Sequence, residues 1–241
     1  MNNTPILTFD VDWAPDFVIS PIVSILKENN IRSTWFATHR SPLIEELTRD
    51  ELFEVGIHPN FQPNSTHGSN PDEVLTHMKK LFPNAKSVRT HTLLQSTPLL
   101  SLLHKFGVEN DVSLLLENAN YIHPFYSPFF KLYRFPSFWE DDVMMSSIYD
   151  LEHFIDSQNI SGLKIFSFHP IHIFLNSLNF DSYNELKTKL GLSNMTVQNT
   201  QKYINKQHGT MTFFMHLIDS LKNKPTYTIS DLQKEEKDKN V

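Results

Sequence analysis

Short β-rich apolar runs alternate with amphipathic stretches through the first half of the chain, and this alternation limits the fold more than any other feature. The pattern predicts strands over 5–11, 32–38, 54–58, 86–91 and 108–113. Between them lie helical patterns: one over 19–28, one opened by Ser41-Pro42 with Glu45 and Glu46 in its first turn, and one behind Asn70-Pro71-Asp72-Glu73. A fourth is opened by Thr97-Pro98 and ended by Gly107. A polar capping residue followed by proline suits a helix start, because proline has no N–H to leave unpaired there. Further on, 163–168 reads as a late strand, 210–222 as an apolar helix and 225–229 as a final strand. Repeated β–α units without a break imply an α/β fold with a parallel sheet under covering helices, wound open or closed as a barrel. No repeat or linker divides the chain, so 1–233 is expected to form one domain, with 234–241 a charged, disordered tail.

Several function classes drop out on composition. The chain has 241 residues, a formal net charge of −6 and no cysteine, which excludes disulfides, thiolate metal sites and a cysteine nucleophile. Its acidic balance opposes nucleic-acid binding, which needs a basic field. The six glycines lie too far apart for a phosphate-cradling loop. No stretch approaches the ~18 apolar residues of a membrane span, and the N-terminus lacks the basic and apolar regions of a signal peptide, so a cytoplasmic location is expected.

The polar residues are placed informatively. Asp10 and Asp12 end the first predicted strand, His39 follows the second, His58 ends the third, Arg89 and His91 the fourth, and His169 and His172 the late one. In parallel α/β folds the C-terminal strand ends surround the site, so these residues describe the rim of one pocket. Two carboxylates two apart on a strand point the same way, letting one hold a cation while the other reaches water; alternatively one of them caps the next helix. His58 opens a Pro/Asn/Ser-rich loop long enough to bring His67 back to it, and imidazoles with a carboxylate make the usual catalytic zinc set. Arg89 would pair with Asp10. His169 or His172 could protonate a leaving group, or be a hydrogen-bonded core residue. The aromatic run from Tyr121 to Trp139 is either a platform for sugar faces or packing under a long loop, and Glu140, Asp141 and Asp142 either orient a histidine or cap a helix.

TFDVDW (8–13), GIHPNF…THG (56–68), RTHTLLQS (89–96), RFPSFWEDD (134–142) and FHPIH (168–172) occur in the order of the motifs of the polysaccharide deacetylases, the NodB-homology family or carbohydrate esterase family 4. The HPNF/STHG variant resembles the WbmS-like branch, associated with bacterial surface-polysaccharide gene clusters. The resemblance spans about residues 5–175 and implies a deformed (β/α)7 barrel. It further implies that Asp10 is the general base, Asp12 the carboxylate metal ligand, His58 the first ligand histidine, Arg89 the residue that positions the base, and His169 the general acid, with His172 in reserve. The family spaces its two ligand histidines by three residues; here that position is Gln62, so His67 is taken as the substitute. Trp13, Asn60, Trp139 and Asp141 are the expected substrate contacts.

The function expected on these grounds is hydrolysis of an N-acetyl or related acyl group on a sugar, dependent on a divalent metal, Zn2+ by preference, with an N-acetylated sugar or glycan as substrate and neither nucleic acid nor a membrane span involved. Two other classes stand beside it. One is a degenerate barrel of the same type that binds a glycan or a biosynthetic partner without catalysis. The other is a metal-free glycosidase using two carboxylates, which Asp10 and Asp12, on one strand instead of across a cleft, fit less well.

Overall fold

The computed structural model describes residues 4–147 and 149–239. These form β1 (Pro5–Asp10), β2 (Ser33–Ala37), β3 (Phe53–Ile57), β4 (Ser87–Val88), β5 (Asn110–Asp111), β6 (Phe125–Ser127), β7 (Leu132–Arg134), β8 (Trp139–Glu140) and β9 (Lys164–Phe168). The helices are α1 (Asp16–Glu28), α2 (Pro42–Leu47), α3 (Pro71–Leu81), α4 (Thr97–Lys105), α5 (Asp141–Met145), α6 (Leu151–Ser157), α7 (Pro170–Leu175), α8 (Asp181–Leu190), α9 (Val197–Thr200), α10 (Thr210–Leu221) and α11 (Ile229–Asp238). The strands lie in the order β6-β7-β5-β4-β3-β2-β1-β9-β8, with every pair parallel except β6 and β7. Among the described residues no helix is long and apolar enough to cross a membrane.

β1 and β9 are buried along their whole length, as strands covered on both faces must be. One face packs outward as an aromatic layer: Phe9 stacks on Trp35 at 4.2 Å and meets Phe168 and, from α10, Phe214. The opposite face carries Asp10, Arg89 and Ser167, which bond to one another inside the sheet. Beyond β5 the chain runs beside the approach to β8. Ser137 N–H donates to the Leu114 carbonyl (2.7 Å), Leu116 N–H to the Ser137 carbonyl (2.9 Å), and Phe138 N–H to the Ile165 carbonyl (2.8 Å). These bonds curl the sheet into the deformed barrel that the motifs implied.

The stretch 225–229 is not a strand. Thr228 caps α11 together with Asp231, Thr226 Oγ1 accepts the Arg32 N–H, and Ile229 N–H donates to Thr34 Oγ1, so side-chain bonds take the place of a ladder. The charged run from Lys234, expected to be a disordered tail, instead continues α11 to Asp238, with Lys237 paired to Glu109; Asn240 and Val241 lie outside the described residues. α11 closes the N-terminal end of the barrel. Glu54 of β3 accepts from Thr34, Ser87 and both the amide and hydroxyl of Ser230, which ties three strands to the start of that helix.

Candidate metal centre and catalytic groups

At the opposite end of the barrel the backbone itself aims the side chains. Asp12 (φ 44°) and Trp13 (φ 58°) are successive left-handed residues directly after β1, a conformation that costs each about 1–2 kcal/mol and clusters at functional sites. Trp13 N–H is held by Thr38 Oγ1 at 3.0 Å, which fixes the bend. His58 continues the ladder from β3 through its amide to the Ala37 carbonyl. Its Nδ1 lies 2.7 Å from the Arg89 carbonyl, an atom that can only accept, so Nδ1 carries the hydrogen and Nε2 presents a lone pair. His91 is set by its amide on the Pro59 carbonyl and by left-handed Thr92 and Leu93.

The three groups meet. His58 Nε2 and His91 Nδ1 each lie 3.1 Å from Asp12 Oδ1, and 3.3 Å from one another. Ligands about 2.05 Å from a tetrahedral ion stand about 3.3 Å apart, so this triangle has the dimensions of one face of a zinc-type site. Asp12 Oδ1 is buried without an aligned hydrogen-bond donor among the described residues, although two imidazole nitrogens are close. The donor set therefore fits a divalent cation. Burial opposes charge on both Asp12 and His58. The imidazoles nevertheless hold Asp12 well below its usual range, and Asp10 and Asp12 raise His58. Carboxylates that favour a proton on His58 favour a metal ion there equally.

His67, expected in this group, lies outside it, and His91 stands at the third corner. The loop after His58 folds back on itself, with Asn60 N–H donating to His67 Nδ1 (3.1 Å), and the His67 ring stacks on His77 of α3 at 5.5 Å. Burial, together with the nearby His77 and His58, lowers its pKa to about 4. Gln62, at the position where the family motif has its second histidine, donates from Nε2 to Thr92 Oγ1 and so braces the turn that carries His91. The signal for His91 was present in the sequence: it is an imidazole at a strand end, two residues from Arg89, whereas His67 lies far out on a loop.

Beside the triangle, Asp10 accepts from Arg89 Nη1 at 3.0 Å. The fully buried guanidinium also donates to Ser167 Oγ (2.8 Å), Ser137 Oγ (2.9 Å) and the Val112 carbonyl (3.2 Å). His169 Nε2 lies 3.7 Å from Asp12 Oδ2, while its Nδ1 and its amide bond to the two oxygens of Asp141 at 2.7 and 2.9 Å. Burial opposes a charged His169, yet Asp141 and Asp142 outweigh it and raise this imidazole well above its usual value. His172 is turned away onto Ser177 and, by burial, held down to about 3. Its position corrects the reserve assignment.

Asp141 is fully buried under His169 and orients that ring; it is not placed to touch a substrate. Trp139 is likewise no sugar platform, being packed among Phe154, Phe166 and Phe168. In the aromatic run, Phe135 and Phe138 are core, and Tyr121 and Phe129 are exposed. Trp13 and Asn60 do line open space, a groove of about 530 Å3 walled also by His39, Asn64, Ser65, Thr66 and Leu192. Glu140 stands at the N-cap position of α5 but makes no side-chain capping bond. It is buried at the mouth, and burial with the charges of Asp142 and Asp10 pushes its carboxyl well above the ordinary range.

The family model of the WbmS-like polysaccharide deacetylases matches residues 7–187. A crystal structure from Bordetella bronchiseptica, described as a polysaccharide deacetylase involved in O-antigen biosynthesis, is similar to the chain at 30% identity, with 90% of each chain covered and a TM-score of 0.81. A structure described as a polysaccharide deacetylase from Mycobacterium smegmatis (16% identity, 93% of each chain, TM-score 0.53) shares the fold. So does a 4-alpha-glucanotransferase from Thermococcus litoralis, at 12% identity over 96% of this chain and 38% of that one, with a TM-score of 0.51. No curated protein sequence matches the chain.

Proposed function

The chain belongs to the WbmS-like polysaccharide deacetylases, and from that membership we propose that it hydrolyses an N-acetyl, or related acyl, group on a sugar destined for a surface polysaccharide. The observation that carries this reading is the Asp12–His58–His91 triangle, flanked by Asp10 on Arg89 and by His169 on Asp141. A divalent ion held by those three residues, Zn2+ in our reading, would supply Lewis acidity to the amide carbonyl and acidity to a water. Asp10, fixed by Arg89, is placed to take the proton of the attacking water as the water oxygen bonds to the carbonyl carbon. His169, kept protonated by Asp141, donates from Nε2 to the nitrogen as the C–N bond breaks, releasing acetate and a free amine. Trp13 and Asn60 line the groove that receives the sugar. Action inside the cell on a precursor belongs to the same proposal.

Metal analysis combined with acetate release from N-acetylated saccharides tests it. Asp12→Ala and His91→Ala should lose the ion, whereas His67→Ala keeps it. Asp10→Asn should keep the ion and lose turnover by about 10^2–10^4-fold, the usual weight of one general base. Stoichiometric ion in His91→Ala would remove the ligand assignment. Wild-type protein that binds glycan with neither ion nor acetate release would leave glycan binding as the function.

A further inference from the structure

The mouth of the barrel holds a second set of converging ligand atoms, one of which, from Glu140, has no part in the reaction. Glu140 ends β8 where its backbone pairs with Ser167, and strand alternation sends it away from the buried Trp139 and into the mouth. There one oxygen or nitrogen each from Asp10, Glu140 and His169 lie within 4.8 Å of one another, and all three residues are buried. Glu140 Oε2 is buried without a hydrogen-bond partner among the described residues, an uncompensated acceptor of the kind that calls for a missing partner.

Two further features point to a cation. His169 has the arrangement of a metal-bound imidazole, with Nδ1 on the Asp141 carboxylate and Nε2 free to face the cluster. Asp12 divides its oxygens: Oδ1 belongs to the His58–His91 triangle, while Oδ2 lies 3.7 Å from His169 Nε2. A carboxylate split in this way is placed to bridge two ions. Three carboxylates, from Asp10, Asp12 and Glu140, gather here, and only Asp10 has a guanidinium partner, Arg89. Bonds of about 2.1 Å span ligand pairs of roughly 3.3–4.2 Å, so donor atoms already within 4.8 Å of one another close on one ion by small side-chain adjustments.

We propose that Asp10, Glu140 and His169, bridged through Asp12, form a second divalent-cation position whose filling silences the enzyme. This ion would occupy the two groups assigned to proton transfer, so the second position is inhibitory. The inhibition rests on the proposed function; the binding does not. Because the Arg89 guanidinium already stands against Asp10 at 3.0 Å, a cation here meets a fixed positive charge, and the position fills after the Asp12–His58–His91 position.

Equilibrium dialysis of the full chain against Zn2+, with acetate release followed in parallel, tests the proposal. Wild type should bind two ions in separate steps, with activity rising over the first and falling over the second. The isosteric Glu140→Gln should weaken the second step by at least about tenfold and leave the first in place. Anomalous scattering from zinc-soaked crystals should give two peaks about 4 Å apart. A single ion with full activity at high Zn2+, or an unaltered second step in Glu140→Gln, overturns the second position and leaves the deacetylase reading standing. Absence of the first step overturns both.

Discussion

Replacing Arg89 by methionine removes four hydrogen bonds from the barrel interior and leaves the Asp10 carboxylate buried without its counter-ion. An unpaired buried charge costs about 3–5 kcal/mol, so chemical denaturation should show a loss of that size, accompanied by loss of turnover. Asp141→Asn keeps the shape under His169 but withdraws the charge that holds its proton; acetate release should fall by about 10^2-fold or more with the tight ion retained. Asp10, Asp12, His58, Arg89 and His169 were legible in the sequence because each stands at or next to a strand end, where the fold dictates position. His91 stands beside a strand end as they do, but whether His67 returns to the Asp12–His58 pair depends on the path of a loop. That path is set by bonds such as Asn60 to His67 and Gln62 to Thr92, which no spacing rule encodes.

The elements show the same division. Through residue 113 each strand is long enough, or flanked by a sufficiently periodic helix, for its pattern to be read; β6, β7 and β8 are two or three residues each, too short to display any period. α11 hid for a different reason: its polar composition resembles a tail, and it is held by tertiary bonds from Glu54, Glu109 and Arg32. Glu54→Ala should therefore cost about 1–3 kcal/mol by stranding its donors at the end of the barrel. Acid should release the helix too. Glu109, hydrogen-bonded by Lys86, Gln233 and Lys237, is lowered to about 2, and Asp231 is lowered against its burial by Thr228 and Arg32. A depressed folded-state pKa stabilises above the unfolded value and loses that contribution as pH falls. Protection factors in α11, corrected for the slower intrinsic exchange in acid, should fall as pH drops from about 4.5 towards 2, while those of β1 to β3 hold; a uniform fall would count against a separately held helix.

At the scale of the molecule, an ion bound only by the folded chain adds stability to every part of it. Saturation at about 1,000 times the dissociation constant adds about 4 kcal/mol, and a domain of this length shifts by roughly 2–4 °C per kcal/mol. A chelator should thus lower Tm by several degrees in wild type and leave Asp12→Ala unmoved, as scanning calorimetry would record.

The closing contacts of the sheet, Leu114 and Leu116 with Ser137, make a seam of a few bonds between the end of β5 and the approach to β8. Arg89 is stitched across that seam, to the Val112 carbonyl on one lip and the Ser137 hydroxyl on the other, while the same guanidinium grips Asp10. Any gaping of the hoop must drag the Asp10 carboxylate with it. The chemistry at the rim is in this way gauged against the integrity of the wall, and a loosened barrel would fall silent before it came apart.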